Sequence, residues 1–145
     1  MVRSSIPWLL QPGPTSQALL LGVLKTLSST AGIMVSLSGD GTTVAVGDSY
    51  GSTNNRGATS VYKFAGGTTW DLMGAVIEGD TDQEKSGNDI ALSDDGTTLA
   101  IGSPGGQRTR IFKCSGASWG LVESAVLAAG SDFVLQSNNW NDLAL

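Results

Sequence analysis

Residues 35–47 read VSLSGDGTTVAVG, and the stretch returns at residues 90–102 as IALSDDGTTLAIG. In both copies apolar residues alternate with small or polar ones on either side of a Ser-Xaa-Asp-Gly-Thr-Thr turn. An apolar period of two is the pattern of a half-buried strand. Asp in the turn can bond its own downstream backbone, and Gly accepts a positive φ, so the polar centre predicts a tight hairpin. The unit is strand–turn–strand, and its Asp and Gly serve backbone geometry rather than a metal or a phosphate.

The pattern extends in the same order after each copy. Residues 48–57 (DSYGSTNNRG) form a polar loop, 58–64 a third strand, 65–69 a turn, 70–76 a fourth strand and 77–87 an acidic loop. In the second copy a shorter loop covers 103–107. Arg110-Ile111-Phe112-Lys113-Cys114 then stands where Ser60-Val61-Tyr62-Lys63-Phe64 stood, and Trp119-Gly120-Leu121-Val122 where Trp70-Asp71-Leu72-Met73 stood. A worn third copy, residues 134–145, lines up with 90–101, with Asn139-Trp140 in place of Asp95-Gly96. The chain accordingly divides into an irregular segment 1–30, read as the degraded end of a preceding unit, two full units over 31–82 and 83–128, and the truncated start of another over 129–145.

A four-strand unit recurring about every 50 residues is the signature of a β-propeller blade. The predicted fold is all-β, built of antiparallel four-stranded blades in an incomplete ring. Trp70, Trp119, Tyr62, Phe64 and Phe112 are expected to pack between blades. Propellers close with about 4 to 8 blades, so two and a half predict either a piece of a longer chain or a ring completed by self-association.

Composition narrows the function. The 145 residues carry 8 basic and 13 acidic side chains, a net charge of −5, which argues against nucleic acid as a partner. Only 14% are charged and 20 are Gly, as a turn-rich β protein requires. There is one cysteine, Cys114, and no histidine. That excludes an internal disulfide, a Ser-His-Asp triad and a His-activated thiol. Residues 18–24, ALLLGVL, are too short to span a bilayer, and Pro12, Pro14 and Lys25 make them a poor signal peptide.

The repeat resembles the FG-GAP family of propeller repeats, found in integrin α-subunit heads and in microbial and algal surface proteins. The likeness lies in Ser86-Gly87 before Ile90, in Gly102-Ser103-Pro104 after the hairpin, and in Ala31-Gly32 before Val35. It covers residues 31–145, without the Phe of the motif, and the turn itself is also similar to that of WD-like propellers. The resemblance implies a non-catalytic binding or adhesion module, at the cell surface or outside the cell, with a protein or glycan surface as partner. Family members often hold calcium in the first hairpin, but the turns here are too short and too poor in oxygen ligands for that.

Two loops carry the candidate chemistry. Asp80-Xaa-Asp82-Xaa-Glu84 is an alternating set of hard oxygen ligands that could suit Ca²⁺, although it lacks the glycine and distal Glu of an EF-hand. Without calcium no cofactor is expected. Tyr50, Asn54, Asn55 and Arg56 could hydrogen-bond a sugar or a protein surface. The alternative is a structural repeat with no ligand site. Enzymatic readings come last: Gly67-Thr68-Thr69-Trp70 lacks the Asp of a sialidase Asp-box, and no Arg triad is evident among Arg3, Arg56, Arg108 and Arg110.

Overall fold

A computed structural model describes residues 33–126. The readings of residues 1–30 and of the worn third copy lie outside the described residues. The described chain is all-β and antiparallel. One sheet is β1 (Ile33–Leu37), β2 (Thr43–Asp48), β3 (Ala58–Gly66) and β4 (Thr69–Leu72), side by side in chain order, with β5 (Ile77–Glu78) also on β3. The other is β6 (Asp89–Leu92), β7 (Thr98–Ser103), β8 (Arg108–Ser115) and β9 (Ser118–Val126), again in chain order.

The fourth strand of the first sheet departs from the sequence expectation. It does not run unbroken over 70–76. The chain leaves β3 after Leu72 and returns at Ile77, which pairs with Thr59 inside the stretch read as acidic loop. The break falls at Gly74, with φ of 82°, where an added Cβ would lie 2.6 Å from the Ala117 carbonyl oxygen of the other sheet. Close approach of the two backbones thus replaces a stretch of ladder. The corresponding β9 stays continuous and absorbs its irregularity as a register shift at Ile111/Phe112.

The register assigns each sheet two faces. In the first sheet Val35, Leu37, Val44, Val46 and Tyr62 share one face, here called A, while Ser36, Ala45 and Val61 share the opposite face B. In the second sheet Ile90, Leu92, Leu99, Ile101 and Phe112 make face A, and Ala91, Ala100 and Ile111 face B. The core is face B of the first sheet on face A of the second. Ala45 and Val61 cluster with Ile90, Leu92, Leu99, Ile101 and Phe112, and Met73, Ile77 and Trp119 close the outer margin. Small residues on one side take the branched residues of the other, which lets the sheets approach. The Leu92 amide donates to Ser36 Oγ at 2.9 Å across this contact, and Trp119 Nε1 donates to the Met73 carbonyl at 3.0 Å.

Both repeated turns fold the same way. The Gly41 amide donates to the Ser38 carbonyl at 2.9 Å, Gly41 takes φ of 70°, and the Asp40 carboxylate accepts from Ser38 Oγ (2.7 Å) and the Thr42 amide (2.9 Å). In the second copy Asp95 accepts from Ser93 Oγ (2.6 Å) and the Thr97 amide (2.9 Å), with φ of 69° at Gly96. The turns also touch: the Gly39 amide donates to the Asp94 carbonyl at 2.9 Å.

These bonds have a pH signature. The Ser38 hydroxyl, then the Thr42 amide and hydroxyl, hold the Asp40 carboxyl down from 3.8 to about 2, and Ser93 and Thr97 lower Asp95 in the same way. A depressed folded value gives stability that is present above the unfolded value and lost as pH falls through the folded one. The melting temperature should therefore be level above about pH 4 and decline between about pH 4 and pH 2. Both groups are exposed, so the slope is shallow. Thermal melts of the wild type beside Asp40→Asn, Asp95→Asn and the double variant measure it. Equal acid slopes in the wild type and the double variant would contradict the assignment.

Candidate functional site

In an up-and-down sheet the β2–β3 connection and the link from β5 to the next sheet emerge at the same end. Here the two are laced together. The amides of Gln83, Lys85 and Ser86 donate to the carbonyls of Asn54 (2.9 Å), Asn55 (3.1 Å) and Arg56 (2.9 Å), and the Gly79 amide donates to the Gly57 carbonyl (3.0 Å). Gly57 and Ser86 form a parallel bridge, and any side chain at Gly57 would collide with the Ser86 backbone. The turn between β7 and β8 joins the same rim, where the Gly105 amide donates to the Glu84 carbonyl at 3.0 Å.

The two sets of residues singled out in the sequence therefore meet. Asn54 Nδ2 donates to Asp82 Oδ2 at 3.0 Å, Arg56 Nε to Asp82 Oδ1 at 2.9 Å, and Asn55 Nδ2 to Gln83 Oε1 at 3.5 Å. Lys85 Nζ lies 5.4 Å from the centre of the Tyr50 ring, which is 45% exposed. Arg56 and Asn54 hold the Asp82 carboxyl below its ordinary value. Backbone strain gathers on the same rim: Ser52, Asn54, Asn55, Gln83, Lys85 and Gln107 all have φ between 49° and 64°. Asn tolerates that region, whereas the other side chains do so at a cost.

The three acidic residues of the alternating set have different surroundings. Asp82 faces Arg56 in the open. Asp80 faces Arg108 Nη2 at 2.5 Å and Arg110 Nη1 at 3.3 Å. Glu84 is fully buried, and its Oε2 accepts from the amides of Asp80 (2.6 Å) and Thr81 (3.0 Å) while Arg108 Nη2 lies 2.8 Å from both carboxylate oxygens. Burial alone would push the Glu84 carboxyl up. The Arg108 guanidinium and the Thr81 and Asp80 amides outweigh it and hold the carboxyl below its usual value. Arg110, also buried, donates to Ser86 Oγ (2.8 Å) and the Glu78 carbonyl (3.0 Å). Among the described residues no three acidic or cysteine side chains are gathered in a way that could hold a metal ion.

No family model, no curated protein and no solved structure matches this chain. The rim must be read from its own geometry.

Sequence reasoning found both loops but missed the buried ionic centre between them. A signal was present. Arg108 and Arg110 stand two apart on a strand, at positions that are Ala58 and Ser60 in the first copy, and they face a run rich in carboxylates. Asp89, next to that run, lies at the start of β6, and burial pushes its carboxyl up. Cys114 is half-buried, with its thiol pushed up by burial and Sγ donating to the Gly116 carbonyl at 3.3 Å. No helix among the described residues is long and apolar enough to cross a membrane.

Proposed function

We propose that the chain is a segment of an FG-GAP-like β-propeller that acts, without catalysis, as a binding or adhesion module for a protein or carbohydrate surface. The observation that carries this reading is the fused rim: two variable loops and the β7–β8 turn are locked into one surface, with Tyr50, Ser52, Thr53, Asn54, Thr81 and Gln83 exposed on it. A binding surface gains affinity when its loops are ordered before the partner arrives, and the backbone lacing supplies that order. The strained positions lie in these loops, where a function could retain them.

The test is binding of the full chain to arrayed oligosaccharides and to purified extracellular matrix proteins, with Tyr50→Ala and Asn54→Ala beside the wild type. Loss of an exposed aromatic contact is expected to weaken binding about tenfold, equivalent to about 1.4 kcal/mol. The same titrations run with calcium and with a chelator decide whether Asp80, Asp82 and Glu84 take a metal. Binding heat from calcium alone, or a rise in melting temperature, supports it. Unchanged binding in both variants would remove the rim from the function.

A second reading, a structural repeat with no ligand site of its own, is favoured by one observation. Asn54 and Arg56, two of the four ligand candidates, bond Asp82 within the rim itself.

A further inference from the structure

The rim lacks what a protein partner would need. Of the large apolar side chains exposed among the described residues only Tyr50 belongs to it, while Leu37, Leu72, Leu121 and Val122 lie on strands. A protein–protein contact is centred on several aromatic and aliphatic anchors inside a polar border. Here one ring stands among hydroxyls and amides. The basic side chains of the rim are already engaged, Arg56 with Asp82 and Arg108 and Arg110 with Asp80. The Asp80 and Asp82 side chains remain 59% and 53% exposed, so an anionic ligand would meet two carboxylates.

The network at Asp82 is oriented but not saturated. A carboxylate offers about four acceptor sites and a guanidinium about five donors. Among the described residues Asp82 takes one bond on each oxygen, from Asn54 Nδ2 and from Arg56 Nε. Further acceptor sites on Asp82 and Asn54 Oδ1 therefore stand beside the Nη donors of Arg56. Adjacent hydroxyls of a sugar ring call for that combination, since each O–H donates to an oxygen while its own oxygen accepts from an N–H. The C–H face of the same ring is apolar and stacks on the negative face of an aromatic ring. Tyr50 is 45% exposed, with Lys85 Nζ 5.4 Å from its ring centre, and it adjoins the loop that the Gly57 amide closes on the Gly51 carbonyl at 2.8 Å.

We propose that the rim binds a neutral oligosaccharide, with vicinal hydroxyls held between Asp82, Asn54 and Arg56 and a sugar ring laid on Tyr50. The proposal rests on the binding-module reading above and narrows its partner to an uncharged glycan. The bonds from Asn54 and Arg56 to Asp82 then aim the site rather than fill it. Because the loops are laced before the sugar arrives, little ordering cost is paid on binding.

The probes are linear neutral oligosaccharides of glucose, mannose and galactose, the matching uronic-acid oligosaccharides, and the neutral set after periodate oxidation. Periodate breaks the carbon–carbon bond between vicinal hydroxyls. Titrated into the full chain, at least one neutral probe is expected to bind, its uronic-acid counterpart at least about tenfold more weakly, and its oxidised form not at all. Tyr50→Phe keeps the ring and should bind as the wild type does, whereas Tyr50→Ala and Asp82→Ala should each weaken binding about tenfold. Tyr50 and Asp82 are exposed, so these variants should keep the wild-type melting temperature. If no neutral probe binds while a matrix protein is held at the rim, the glycan assignment is overturned and the binding-module reading stands. If neither binds, both fall. A neutral probe that binds equally well after oxidation, no better than its uronic-acid counterpart, or equally to Tyr50→Ala and Asp82→Ala also overturns the assignment.

Discussion

Glu84→Ala should lower the unfolding free energy by about 3–5 kcal/mol, the range for removing one member of a buried ion pair. The size follows from what is left behind. The Glu84 carboxylate is 0% exposed and neutralises Arg108, with Arg110 Nη2 a further 3.7 Å away. Truncation leaves the Arg108 guanidinium with Asp80 as its remaining carboxylate, takes the nearest buried negative charge from Arg110, and frees the amides of Asp80 and Thr81, which have Glu84 as their acceptor. Glu84→Gln keeps the shape and one acceptor oxygen, so its loss should fall between wild type and Glu84→Ala. Urea denaturation of the three proteins measures the series. The pH dependence has a definite sign: the Glu84 carboxyl sits below its ordinary value of 4.5, so its contribution is whole above that pH and fades as acid protonates it. The wild type should lose its advantage over Glu84→Gln in acid. A Glu84→Ala loss under about 1 kcal/mol would show the ionic centre to be dispensable.

The legible part of the fold was whatever repeats. Residues 35–47 and 90–102 announce their strands by period and their turns by Asp-Gly chemistry, because each such signal is local. The face assignments follow from the same period of two. The break at Gly74 was not legible, since it answers to the Ala117 carbonyl of another sheet, and that proximity is written nowhere near residue 74. The rim shows the same division. Asp82 and Arg56 were visible as polar loop residues, but their pairing depends on a sheet topology that brings the two loops to one end. Glu84 had the form of an exposed ligand in an acidic run. Its burial is set by Arg108 and Arg110, which arrive from a later strand. Local chemistry is written in the sequence where it is made, and the partners that decide its use come from elsewhere in the chain.

Leu99→Ala carries the second large effect and probes whether the two sheets are one cooperative unit. Leu99 is 0% exposed, lies between Leu92 and Phe112 in the ladder, and faces the small residues of the first sheet. Its removal takes away buried methyl groups and leaves a cavity that the backbone contacts at Gly74 and Gly47 prevent from collapsing. The expected loss is about 3 kcal/mol, against less than about 0.5 kcal/mol for Thr68→Ala at the exposed β3–β4 turn. The form of the transition matters as much as its midpoint. Far-UV circular dichroism reports both sheets, while tryptophan emission, measured in a Trp8→Phe/Trp140→Phe background so that only Trp70 and Trp119 contribute, reports the outer strands, including the Trp119–Met73 contact between them. If face B on face A is the main stabilising contact, both probes should shift together in Leu99→Ala, and neither sheet should persist alone. Two separated transitions would mean that each sheet stands without the other, and the repeat would then be an independent folding unit.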